Sequence, residues 1–148
     1  MNNMKEIAQV LETEEVFVST TSGTSMYPML RDRKDVIVVK KRTERLKKYD
    51  VALYKQGDTY ILHRVMKVLP DSYIIRGDNC DQKEYGIRDE QILGVLVEFF
   101  RGDKKISLHH WSYLAYVRIY CACTPIWWTI RKMRRVIAKG KRILKRGE

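Results

Sequence analysis

Between Val16 and Leu108 the chain is repeatedly cut by turn-forming residues, and the apolar runs between them are short and rich in β-branched side chains. Val16-Phe17-Val18, Val36-Ile37-Val38-Val39, Asp50 to Tyr54, Tyr60 to Val68, Tyr73 to Arg76 and Ile92 to Phe100 each read as a strand. Gln56-Gly57-Asp58 joins two of them as a hairpin, and Arg101-Gly102-Asp103-Lys104 leads into Ile106-Ser107-Leu108 in the same way. Pro70-Asp71-Ser72 turns the chain once more, Lys40 to Lys48 is a basic loop, and Gly94 marks a bulge or a close approach of two backbones. Such a pattern predicts a mostly β domain, a coiled antiparallel sheet or partial barrel. Met4, Ile7, Ala8 and Leu11 fall at helical spacing ahead of it and predict a short N-terminal amphipathic helix.

From His109 the pattern changes, which sets the expected division of the chain: a β domain over 1–108 and a C-terminal segment over 109–148. Trp111 to Ile130 is aromatic-rich and apolar, long enough to test as a membrane span, but Arg118 and Pro125 interrupt it. Beyond it Met133, Val136, Ile137, Gly140, Ile143 and Leu144 fall on one helical face, and nearly every other residue is Lys or Arg. Residues 131–148 hold nine Lys or Arg against one acid, so eight of the eleven net positive charges sit there. A basic amphipathic helix with Trp127 and Trp128 at its start suits an anionic membrane surface. The expected partner through 111–146 is therefore such a surface, with the protein peripheral on the cytoplasmic side and a single C-terminal span as the alternative. The first fifteen residues carry one Lys and four Glu without a long apolar run, which reads as neither a signal peptide nor an anchor. Cys80, Cys121 and Cys123 are an odd set without zinc-ligand spacing, and free thiols are the expectation.

The chemistry-bearing residues lie in three short stretches. Ser22-Gly23-Thr24-Ser25-Met26-Tyr27-Pro28 places a serine in a glycine turn whose exit is set by proline. Leu62-His63-Arg64-Val65 puts a histidine on a strand; with period two, His63 shares a face with Ile61 and Val65, and Arg64 points the other way as a surface or sheet-covering cation. Gly77-Asp78-Asn79 is a tight turn with a carboxylate, followed closely by Asp81. A serine hydroxyl needs a base within hydrogen-bond reach, a group that orients the base, and donors for the developing oxyanion. Histidine can serve as that base near neutral pH.

Ser25-Met26-Tyr27-Pro28 resembles the Ser-Met-x-Pro box of type I signal peptidases and their relatives, the self-cleaving repressors. Asp50-Val51-Ala52-Leu53-Tyr54 is similar to their strand after a Gly-Asp-Val box, with Tyr49 where glycine is usual. Leu62-His63-Arg64-Val65 resembles the box with the general base, in the form found in the histidine-bearing archaeal, sporulation and endoplasmic-reticulum members. Gly77-Asp78-Asn79, followed by Gly94-Val95, resembles the last region. Four boxes in order, over roughly residues 17 to 100, make the likeness specific. It implies a fold of the signal-peptidase type, Ser25 as nucleophile, His63 as base, and Asp78 or Asp81 as the contributing aspartate. Gly23, Thr24, Met26 and Pro28 would shape the substrate and oxyanion region. The reaction implied is cleavage of a leader or signal segment in a peptide or protein, without metal or cofactor. Gly23 stands where some members carry an oxyanion-stabilising hydroxyl, and Cys80 to Glu84 replaces the usual residues after the turn.

Two other classes compete. A nucleic-acid-binding regulator related to the repressors would use the basic tail on phosphates. The residues before Val16 are too few for a helix-turn-helix, so no specific nucleic acid is expected. A catalytically silent binding module of the same fold is the other.

Overall fold

The computed structural model describes the backbone of residues 3–144 and, within it, the side chains of all but 3–6, 127, 131, 132, 134–136 and 138–144. It divides into two compact units, one up to Tyr113 and one from Leu114.

The first unit opens with helix α1 (Asn3–Glu14) and continues through β1 (Val16–Thr20), β2 (Asp35–Lys41), β3 (Val51–Gln56), β4 (Thr59–Val68), β5 (Tyr73–Arg76), β6 (Glu84–Ile87), β7 (Ile92–Arg101) and β8 (Lys104–Ser107). A 3-10 turn at Asp89–Gln91 precedes β7. All strands pair antiparallel in one open sheet of order β1-β2-β7-β3-β4-β5-β6, with β8 added to β7. The short β-branched runs become strands, and Gly57 and Gly102 adopt the positive φ (59° and 61°) that their hairpin turns demand. β7 is the organising strand: sequence-distant β2 flanks it from Gly94 to Arg101, and β3 flanks its first half from the other side. Gly94 makes this possible, because a Cβ there would sit 2.5 Å from the Lys40 carbonyl oxygen.

Register shifts occur between Val38 and Val39, Leu53 and Tyr54, and Val65 and Lys67. Each bends the strand that carries the extra residue. One face of β3 and β4 carries Ala52, Tyr54, Ile61, His63 and Val65, since Ala52 pairs with His63 and Tyr54 with Ile61. Ala52, Tyr54 and Val65 are fully buried there, with Tyr73, Ile75 and Ile92. Each buried Val or Ile among them contributes ~1.5–3 kcal/mol of burial free energy. His63 thus stands at the margin of a dry core.

A C-terminal helix forms as expected, and it is a single one: α2 (Trp111–Leu144) runs through Pro125. One expectation is corrected. Arg64 is not a surface cation but wholly buried. Among the described residues no helix is long and apolar enough to cross a membrane. The side-chain arrangement expected over 131–148 lies outside the described residues except at Met133 and Ile137. Among the described residues Cys80, Cys121 and Cys123 form no disulfide.

Candidate active site

The loop between β1 and β2 is folded by its own polar groups. Gly23 takes φ 89°, and its N–H donates to Asp32 Oδ1 at 2.8 Å. Tyr27 N–H then returns to Thr24 O (3.1 Å) and Leu30 N–H to Met26 O (2.9 Å), so Ser25 sits inside a compact turn. Arg31 and Asp35 close the loop base: Asp35 is fully buried and accepts from Arg31 Nε and Nη2 at 2.9 and 2.7 Å. Burial alone would push the Asp35 carboxyl up. The bonds from the Arg31 side chain and backbone, with the charge of Arg101, hold it below the ordinary carboxylate range instead.

The Gly77-Asp78-Asn79 turn clamps that loop. Asn79 donates its backbone N–H to Ser25 O (2.7 Å) and its side-chain amide to Thr24 O (3.1 Å). Gly77 lets the Ser25 backbone and the His63 ring approach each other. A Cβ added to it would lie 2.7 Å from Ser25 O and 2.9 Å from His63 Nε2. The serine backbone and the imidazole nitrogen therefore flank a space narrower than one methyl group. Ser25 and His63 also line a common groove of about 410 Å³, with Phe17, Gly23, Met26 and Leu53 among its walls.

His63 is held from its other nitrogen. Nδ1 lies 2.8 Å from Glu84 Oε1, on edge strand β6. Tyr54 donates its phenol to Glu84 Oε2 at 2.6 Å and lies 3.2 Å from Nδ1. Burial, then the bond and charge of Glu84, push the Tyr54 phenol far up, so it stays a protonated donor. A carboxylate at Nδ1 selects the tautomer with hydrogen there and leaves Nε2 as an acceptor toward Ser25.

The carboxylate that meets His63 is thus Glu84, where Asp78 or Asp81 was expected. The reason is the alternation of β4. Arg64 faces away from His63, and Asp78 is on Arg64's side, accepting from Nε at 2.8 Å and Nη2 at 2.6 Å. Arg64 also donates to Tyr49 O (3.1 Å), Tyr113 Oη (3.0 Å) and Met29 Sδ (3.0 Å). Burial disfavours its charge, but the paired Asp78 carboxylate raises its affinity for the proton. Asp81 is exposed, and its charge is felt at Cys80.

Of the expected substrate-side residues, Gly23 and Met26 line the groove. Thr24 and Pro28 act through their carbonyls, bonded to Asn79 and to Arg101. The Gly23 N–H is committed to Asp32, so it is no oxyanion donor here. Cys80 Sγ also crowds the Gly77 α-carbon, 2.7 Å from the same Cβ position. Burial and then the charge of Glu84 push its thiol up, which keeps it a poor nucleophile beside the imidazole. Glu84 and β6 escape sequence reading because Glu84-Tyr85-Gly86-Ile87 is short, charged and interrupted by glycine. Its one visible signal is Glu84 and Ile87 bounding a stretch that follows a chemistry-bearing turn.

No family model and no curated protein sequence matches this chain.

Proposed function

We propose that this chain is a serine endopeptidase of the signal-peptidase and self-cleaving-repressor kind, acting through Ser25, His63 and Glu84. The observation that carries the proposal is the polarised imidazole: Nδ1 on Glu84 Oε1 at 2.8 Å, Nε2 turned to the Ser25 turn across a side-chain-free Gly77. His63 Nε2 takes the Ser25 hydroxyl proton as the oxygen attacks a peptide carbonyl, then passes it to the leaving amine. Glu84 holds the ring and offsets the imidazolium charge while it lasts, and Tyr54 fixes Glu84. Backbone N–H groups of the tight turn at Ser25 supply the oxyanion donors.

The substrate is an extended segment of a peptide or protein, laid along β1, which ends the strand order beside the serine loop. By resemblance the cut follows small residues of a leader. The likeness gains support from Tyr49. Its φ of 79° is the conformation that favours glycine, and glycine is what the resembling family carries there.

Labelling with a fluorophosphonate probe, with cleavage of a peptide library, tests this reading. Wild type labels and cleaves; Ser25→Ala and His63→Ala do neither while melting like wild type. Undiminished cleavage by Ser25→Ala, or none by any form across the library, would sink the proposal.

A further inference from the structure

Helix α2 leaves a row of large apolar side chains uncovered. Tyr116, Ile119, Ile126, Ile130, Met133 and Ile137 are all exposed, Ile119 and Ile126 at 65% and 62%. They recur at intervals of three, four or seven, which places them within an arc of about 100° along ~32 Å of helix. An exposed stripe of that size on a soluble surface marks an interaction site. The same helix contains no Asp or Glu at all. By the same period, five of the seven Lys and Arg positions from 131 to 142 fall on the flanks and far side of the stripe, with 134 at its edge and 141 within its arc.

That charge pattern decides the occupant. A second copy would bring two all-basic helices together with no acid to pair across the seam, and like charges at such positions repel. Crossing a bilayer is not open to the described helix, which is too polar along its length. An apolar stripe on a helix whose charged residues are all cations fits the boundary of an anionic bilayer: the stripe enters the acyl region and the cations meet headgroup phosphates. We infer that α2 lies in the plane of an anionic membrane surface through the Tyr116–Ile137 stripe. It deepens the peptidase reading by supplying the place where substrate is met, but it rests on none of the catalytic residues.

The full chain carrying Ser25→Ala, so that activity plays no part, is mixed with vesicles of phosphatidylglycerol and phosphatidylcholine or of phosphatidylcholine alone. Expected is sedimentation with the anionic vesicles only, weakened by salt, with about fivefold less partitioning for each cation neutralised in Lys139→Gln and Arg142→Gln. Ile126→Asp with Ile130→Asp removes binding but leaves melting and, in the Ser25 background, peptide cleavage unchanged. Equal binding to both vesicle types would overturn the assignment. So would a concentration-dependent dimer abolished by the same Ile substitutions, or duplex-DNA binding indifferent to them. Loss of cleavage with intact vesicle binding would strike the peptidase reading alone.

Discussion

His63 and Arg64 are neighbours on β4, each is a potential cation, and each meets a carboxylate. The two pairs are nevertheless built for different ends. Arg64 and Asp78 are 1% and 3% exposed in their side chains, and the guanidinium reaches four chain segments. His63 and Glu84 are 9% and 24% exposed, and His63 borders the groove. The dry pair cannot release a charge without leaving its partner orphaned, so it serves to fasten the Asp78 turn, the Met29 loop and the Tyr49 backbone. The wetter pair can change protonation at Nε2 while Nδ1 stays held. Burial, more than residue type, separates a rivet from a pair open to the groove.

Four substitutions test that contrast. Glu84→Gln keeps the shape but loses the charge that fixes the tautomer. We expect kcat for peptide cleavage to fall up to ~10⁴-fold, equivalent to ~5 kcal/mol of activation free energy, with KM and melting temperature little changed. An equal loss of stability would make Glu84 merely structural. Asp78→Asn should do the reverse. It leaves a buried guanidinium uncompensated and costs about 3–5 kcal/mol in chemical denaturation. A stable variant with normal folding and lost activity would put Asp78 back in the catalytic machinery.

Asp35 extends the contrast to pH. Its folded-state pKa is depressed, so its contribution is full above the ordinary carboxyl range near 4 and lost as pH falls through the folded value. Asp35→Asn is then expected to cost about 1.5–3 kcal/mol at neutral pH and progressively less in acid, shown by denaturation at several pH values. A penalty independent of pH would refute the ion-pair account. Tyr49→Gly has the smallest effect. Relief of the left-handed backbone is worth ~1–2 kcal/mol and the added freedom of unfolded glycine takes part of it back. A net gain of up to ~1 kcal/mol in melting experiments follows.

The strands were legible because their runs are β-branched and bounded by Gly, Pro and Asp, as with Val36–Val39 and Tyr73–Arg76. The faces of β4 were legible from period two alone: Ile61, His63 and Val65 share one side through their register with β3. What lay beyond the sequence was long-range. Arg64 is buried because Asp78, Tyr113 and Met29 converge from three distant places. No local pattern announces such a convergence. Glu84 is invisible for the same reason, since its meaning comes from pairing β6 with β5 at the far edge of the sheet. Pro125 misleads in the opposite direction: it suggested a break, but the surrounding turns of α2 absorb it.

The adjacency of positions 63 and 64 has a consequence for folding fidelity. Were β4 to pair one position out of step, every side chain would change sides. The guanidinium would be delivered to the groove and the ring to the buried acid. A mispaired strand therefore forfeits its rivet and the proposed catalytic geometry in one move, so a slipped molecule loses its buried ion pair along with its His63–Glu84 contact.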